Sequence, residues 1–339
     1  MSENVGRILI IGAGAIGGTL GGLLSRAGRE VVFLTKSAET AAKINRDGMT
    51  VRGVRGTFTA RPRAESRPEL LAPPFHLAMV AVKTYDLAAA LGPVLPRITD
   101  GCPVVSLQNG ICIEELEGLV GRDRAVGCAV GWGATMHGSA EMELTSEGDL
   151  VIGSRSAAGQ ARLPAVVSLL APAFAVKVSQ DILADLYSKL IINSCITTLG
   201  AISGMTLGWM LRRRLYRCLF IDIIREAMDV ARAAGIRPPP YAGRLDYEAF
   251  LKGDGPMDRL RRHLFIRLMG VKYRRLKSSS LQSLERGKPT EVDSFNGYIV
   301  RTARVHGLEA PLNERLVRMV HEIESKARPI TPANFAPRH

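Results

Sequence analysis

Apolar positions in this chain follow two rhythms, and the change between them near residue 179 predicts two domains. Before that point, short apolar runs at 8–11, 31–34, 77–82, 103–107 and 175–178 alternate with helix-compatible stretches after Gly12, at 38–45 and 87–95, from Glu114, and at 160–170. Runs that are apolar throughout belong to strands covered on both faces, and strands alternating with helices build a parallel doubly wound sheet. Residues 49–59 read as short strands with glycine turns. Residues 125–152 read as β-structure in which 141–145 and 149–152 form a hairpin. Beyond 179, helical periodicity runs to about residue 327, broken by Pro238-Pro239-Pro240 and by Lys252-Gly253-Asp254-Gly255-Pro256. The expectation is an α/β protein with a sheet domain over 1–178 and an all-helical domain over 179–339. Its proline-containing end, from Pro329, is expected to fray.

One stretch has a second reading. Residues 190–211 carry no charge, follow Lys189 and precede Arg212-Arg213-Arg214, a length that can cross a bilayer. They also contain Asn193, Ser194, Thr197, Thr198, Ser203 and Thr206 with three glycines. A buried helix broken near Gly200 accounts for them better, and no membrane partner is expected.

The first strand leads into Gly12-Ala13-Gly14-Ala15-Ile16-Gly17. In the GxGxxG spacing the first glycine makes the tight turn, the second admits a pyrophosphate to the backbone, and the third lets helix pack on strand. Ala15 and Ile16 open the helix, whose free N–H groups favour an anion. Strand, turn, helix and second strand follow in order, so the sheet domain is read as a Rossmann-type dinucleotide domain. An NAD site places a carboxylate about 20 residues on, but here the second strand ends in Thr35-Lys36 and Glu30 precedes it. A lysine attracts a 2′-phosphate, so NADP(H) is the expected cofactor. Lys36 as a solvated loop charge remains the plainer alternative. Ligands of such sheets bind outside the carboxyl ends of the strands, where Lys83 and Asn109 fall.

Composition narrows the classes. The 339 residues suffice for two cores, and 46% apolar with 23% charged residues describes a soluble globular protein. The net charge of +13 would attract nucleic acid and equally steers small anions. The basic clusters at 212–214, 259–262 and 272–277 lack interleaved aromatics. They are expected to be solvated helix faces, with no nucleic-acid partner. Five scattered cysteines offer neither a disulfide framework nor zinc spacing. No metal is expected, and the compartment is expected to be the cytoplasm, the first seven residues holding no apolar signal core.

Lys189, Asn193 and Thr197 share one stripe of an otherwise apolar helix. Such a stripe lines a polar cleft, or else begins with a lysine that snorkels to water; spacing alone leaves both open. Further on, Thr290 and Asp293 before an apolar run resemble a capping box, with Glu291 in the first helical turn. There the helix dipole alone favours a carboxylate.

Gly12 through Gly17, Val82-Lys83, Gln108-Asn109-Gly110, Lys189-x-x-x-Asn193, Ser279 and Thr290-Glu291-x-Asp293-x-x-Asn296-Gly297 together resemble the ketopantoate reductase (2-dehydropantoate 2-reductase) family over residues 7 to 325. The resemblance implies NADPH-dependent reduction of 2-dehydropantoate to pantoate, for pantothenate and coenzyme A synthesis. It implies that Lys189 polarises the ketone and protonates the alkoxide, and that Glu291 orients Lys189 and the substrate's hydroxyl. Asn193, Asn109 and Ser279 are implied substrate contacts, Ser279 at the carboxylate, and Thr197 on the Lys189 stripe is a further candidate substrate contact. Lys83 and Lys36 are implied cofactor contacts, and the assembly implied is at most a homodimer. Thr197 departs from the asparagine often found at its position, and 238–278 is longer and more basic than in compact members. Both keep open a different small 2-oxo acid as substrate. A non-catalytic NADP(H)-binding sensor is the rival from another class.

Overall fold

The structure, a computed structural model, describes residues 6–336. The expectations for the extreme amino terminus and for the last three residues lie outside them. Apolar runs and glycine turns set the elements in chain order. They are β1 (Ile8–Ile11), α1 (Ala15–Arg26), β2 (Val31–Leu34), α2 (Ala38–Asp47), β3 (Met49–Gly53), β4 (Phe58–Ala60), β5 (Arg63–Glu65) and β6 (Leu77–Val80). Then come α3 (Leu87–Leu91), β7 (Val104–Ser106), α4 (Ile113–Val120), β8 (Ala125–Val130), β9 (Gly133–Gly138), β10 (Glu141–Ser146), β11 (Leu150–Gly153), α5 (Ala157–Leu170) and β12 (Val176–Val178). The rest is helical: α6 (Ile182–Ser203), α7 (Leu207–Arg212), α8 (Arg214–Ala233), α9 (Tyr247–Leu251), α10 (Pro256–Lys272), α11 (Ser279–Glu285), α12 (Asn296–Val305) and α13 (Pro311–Glu324).

The chain forms two units, Met1–Leu186 and Tyr187–His339. The division falls inside α6 rather than at the expected 178/179. The sequence changes rhythm before the packing changes partner, since Ile182 and Leu186 still lie against Gly127 of β8.

In the first unit an eight-stranded sheet runs β12-β11-β8-β7-β6-β1-β2-β5, parallel except where β11 meets β8. The chain steps outward from β1 through β2 to β5, then returns to β6 on the other side. That reversal is the topological switch point of a doubly wound sheet. Every residue of β1, β2 and β6 is buried, which is why these strands read as unbroken apolar runs. A smaller sheet, β4-β3-β10-β9, was not expected as such. The expected hairpin of 141–145 with 149–152 does not form. Instead β10 pairs with β9 and β3, while β11 pairs with β8 and β12. Alternation shows that a segment is extended, not which strand it joins.

Helix α1 packs on both sheets. A methyl at Gly17 would lie 2.2 Å from the Gly12 carbonyl and one at Gly21 2.3 Å from the Phe33 ring; on the small-sheet side, one at Gly18 would lie 2.6 Å from Met142 and one at Gly22 2.7 Å from Val51.

In the second unit, amphipathic α8 is the hub, packed against α7, α9, α10, α12 and α13. Its buried face carries Tyr216, Phe220, Ile223, Ile224 and Ala227. Helix α6 lies on it, with Tyr187 donating to the Ala227 carbonyl at 2.8 Å. The apolar window of α6 is 72% buried. The helix does not break at Gly200; it ends at Ser203, followed by Gly204 at φ 72°. Gly200 is instead a point of close approach, where a methyl would fall 2.6 Å from the Ser278 hydroxyl. The expected frayed tail is docked through residue 336. Thr331 N–H donates to the Ile202 carbonyl at 3.1 Å, and the buried Phe335 ring meets Tyr216 edge-on.

Candidate active site

The sheet unit contributes a site made largely of backbone. Gly12 follows β1 at φ 105°, a conformation that only glycine adopts cheaply, and its N–H donates to the Leu34 carbonyl at 2.9 Å. Gly14 caps α1 and has open space where a side chain would project. Ala15 and Ile16 begin the helix, whose first turn has neither a capping side chain nor an acidic residue. An uncapped, positively polarised helix end beside an open glycine fits a pyrophosphate. A nicotinamide dinucleotide is the group that these residues suit.

The neighbouring strand ends complete this edge. Adjacent strands β7, β6, β1 and β2 are parallel, so Asn109, Lys83, Gly12 and Lys36 all follow carboxyl ends on one side of the sheet. Buried Gln108, the first residue of the Gln108-Asn109-Gly110 motif, ties two of these loops together. Its Nε2 donates to the Lys83 carbonyl at 3.1 Å, and its Oε1 accepts from Ser106 at 3.1 Å. Lys36 is exposed just before Ser37, which caps α2. Glu30 stands at the opposite end of β2, paired with Arg7 at 2.8 Å. It is therefore remote from the position a ribose carboxylate would take.

The helical unit contributes side chains. Its entry is fixed at Asp181, whose carboxylate accepts from the Ala184 N–H at 3.1 Å. Burial raises the pKa of Asp185 in the first turn of α6. Further along α6, the partly exposed positions are Lys189, Asn193 and Ile196, while Thr197 is buried. The Thr197 hydroxyl donates to the Asn193 carbonyl at 2.7 Å, so the expected stripe narrows to Lys189 and Asn193 with Ile196 beside them. Exposed Ser279 opens α11, and its neighbour Ser278 makes the contact to α6, donating to the Thr197 carbonyl at 3.3 Å.

The expected capping box is absent. Thr290 Oγ1 accepts from the Val292 N–H at 3.2 Å, the Thr290 N–H donates to Glu324 at 2.7 Å, and Asp293 bonds His321 Nε2 at 3.1 Å. Past Thr290 the chain makes a single 3-10 turn, Val292–Ser294, with Glu291 just ahead of it. Glu291 is only 5% exposed. The dipole reading required a solvated carboxylate in a helical first turn, and the position has neither property.

Behind Glu291 lies a network that sequence reasoning missed. Asn296 is fully buried at the start of α12. Its amide accepts from Thr198 Oγ1 and donates to the Ser194 carbonyl at 3.3 Å and to Asn313 Oδ1 at 2.9 Å. Asn313 in turn donates to Glu226 at 2.7 Å, and that carboxylate also takes the N–H groups of Leu312 and Asn313 at 2.8 and 3.0 Å. Four helices, α6, α12, α13 and α8, are thus pinned through two linked amides, Asn296 and Asn313. The register of the Lys189 helix is set against the segment that carries Glu291. A buried asparagine in an apolar helical run was the available signal.

A doubly wound sheet with an anion-ready glycine turn, joined to a helical unit bearing a buried carboxylate and a lysine on an apolar helix, defines a nicotinamide-dependent oxidoreductase. The chain belongs to the ketopantoate reductase family: "Ketopantoate reductase PanE/ApbA" matches residues 8–157 and its C-terminal counterpart residues 181–324. It is 29% identical over 312 residues to a 2-dehydropantoate 2-reductase of Pyrococcus abyssi, covering 91% of this chain and 94% of that one. It is 29% identical over 316 residues to the Mycobacterium tuberculosis H37Rv protein of the same name, covering 92% and 96%. Among solved structures, a PanE/ApbA family ketopantoate reductase from Ralstonia eutropha superposes with TM-score 0.80 at 28% identity, covering 94% of this chain and 99% of that one. D-mandelate dehydrogenase with NADH shares the fold at TM-score 0.80, with 21% identity and the same coverage.

Proposed function

We propose that this protein reduces the C2 ketone of 2-dehydropantoate to pantoate with NADPH, in the cytoplasm. Family membership and the pairing of an accessible Lys189–Asn193 stripe with the buried Glu291 carry this reading. Bound NADPH supplies the hydride. As negative charge grows on the ketone oxygen, the Lys189 ammonium stabilises it and then delivers the proton, an interaction that strengthens toward the transition state. Glu291 orients Lys189 and the substrate's hydroxyl, Asn193 and Asn109 add contacts, and Ser279 takes the carboxylate. Gly12, Gly14, Ala15, Ile16 and Gly17 cradle the pyrophosphate, Lys83 contacts the cofactor and Lys36 holds the 2′-phosphate. The engagement of Glu30 by Arg7 supports NADPH over NADH.

The test is steady-state NADPH oxidation with 2-dehydropantoate beside a panel of 2-oxo acids. Lys189→Ala should lose about 10²–10³-fold in kcat while still binding NADPH. Turnover no higher than in this variant would remove the substrate claim. Preference for another 2-oxo acid would favour the alternative that Thr197 and the long 238–278 segment suggest.

We further propose a homodimer through α10. Met257, Leu260, Leu264, Leu268 and Val271 are each 55–76% exposed, at spacings that keep them on one face of a straight helix. The spacing is palindromic about Leu264, so a two-fold axis there pairs Leu260 with Leu268 and Met257 with Val271, the self-complementarity an isologous contact needs. The same axis opposes Arg261 to Arg267, but Arg261 is drawn back to the carbonyls of Ala249 and Lys252, each at 3.0 Å. Sedimentation velocity across micromolar concentrations decides it, and a monomer throughout would end the proposal.

A further inference from the structure

Apart from every residue assigned so far, the helical unit holds a pocket of about 480 Å³ walled by arginines. Helix α8 lends Arg214, Asp222 and Arg225; Asp254 and the first turns of α10 lend Arg259, Arg262 and His263. Four guanidiniums thus face two carboxylates. Arg225 binds Asp222 at 3.1 Å and lies 3.9 Å from Asp254, and Arg262 lies 3.5 Å from Asp254. Both carboxylates are used by these two partners. Arg262 is 2% exposed and donates to the carbonyls of Leu251 and Gly253 at 3.1 and 2.7 Å, so it is a fixed part of the wall. Arg262 thus departs from the solvated face expected of the 259–262 cluster, whereas Arg259 and Arg261 are exposed as expected. Among the described residues, Arg214 and Arg259 have no carboxylate partner. Burial lowers the pKa of His263, and the charges of Arg217, Arg214 and Arg262 lower it further.

Two unmatched guanidiniums on opposite walls call for about two negative charges, and the guanidinium fork matches phosphate oxygens in pairs. The volume falls within the roughly 300–1,000 Å³ typical of small-molecule sites, so there is room for an organic group as well. We propose that this pocket binds a small phosphate monoester, with Arg214 and Arg259 closing on its dianion from the two helices.

Calorimetric titration of the full chain with glycerol 3-phosphate, and separately with inorganic phosphate, tests it, each with and without saturating NADP⁺. Saturable binding of one glycerol 3-phosphate per chain is expected, unchanged by NADP⁺ and tighter than inorganic phosphate. The histidine resonance lost in His263→Gln should titrate at higher pH when the ester is bound. Arg214→Gln with Arg259→Gln should weaken binding at least about tenfold, and because both positions are exposed the melting temperature should hold. Absence of saturable binding, displacement by NADP⁺, or unchanged affinity in the double variant would overturn the proposal. Equal affinity for both probes would reduce the pocket to an adventitious ion site.

Discussion

Helices α6 and α10 invert each other. On α6, Ser194, Thr197, Thr198 and Ser203 are buried, and the outer positions are few. On α10, five large apolar side chains face solvent while Arg262 turns inward. Either pattern is costly without a reason, because buried polar groups need partners and exposed apolar patches of this size usually have one waiting. For α6 the partners are inside the fold: Thr198 bonds Asn296, while Thr197 and Ser203 donate to the Asn193 and Leu199 carbonyls of their own helix. For α10 nothing among the described residues covers the stripe. The contrast separates polarity satisfied within the fold from apolarity for which the proposed dimer would supply the cover.

The sharpest way to break this comparison is Asn296→Leu. It strands Thr198, Asn313 and the Ser194 carbonyl together, and unfolding free energy from urea titration should fall by about 3 kcal/mol. A loss below about 1 kcal/mol would mean that the network pins nothing. Next comes Leu264→Glu, which places two carboxylates on the proposed axis. The dimer dissociation constant should rise at least about thirtyfold, some 2 kcal/mol, with secondary structure intact by circular dichroism. Unchanged sedimentation would leave the stripe without a role.

A smaller effect is expected of Thr197→Val, because that hydroxyl serves its own helix. Stability should change by less than about 1 kcal/mol and KM hardly at all, whereas a large rise in KM would place Thr197 on the substrate after all. The smallest belongs to His321, half-exposed on α13 about two turns from buried Asn313. Burial lowers its pKa, but bonds to Glu324 and Asp293, at 3.0 and 3.1 Å, outweigh this and raise it above 6.5. A raised pKa contributes stability at acidic pH that disappears as pH rises through the folded value. His321→Gln should therefore cost a few tenths of a kcal/mol near pH 5 and nothing at pH 9, read as melting temperature against pH. A cost that grows toward alkaline pH would contradict the assignment.

These regions also differ in how far the amino acids alone revealed them. The glycine turn and strand ends were legible because their geometry is backbone, and backbone conformation depends on neighbouring residues. The small sheet was not, since which strand Glu141–Ser146 joins depends on contacts far away in the chain. The roles proposed for Lys189 and Glu291 came from family resemblance, as spacing left Lys189 undecided and favoured the plain helix-dipole reading for Glu291. Glu291 resisted because a capping box and a buried carboxylate share the same letters. Thr197 was placed one position too generously, since a period of four drifts around a helix and Ile196 takes the outer place. The tail looked frayed because prolines hide the fact that Phe335 has a pocket to fill.

Helix α1 carries a consequence of another kind. With glycines against a sheet on either flank, it has no slack into which the end proposed to receive phosphate could recoil. Whatever entropy must be surrendered to hold that end still was surrendered when the chain folded, so a dinucleotide bound there would meet a finished surface and not one it must shape. The same confinement makes this helix a poor place for sequence drift, since even the smallest added carbon would wedge two layers apart.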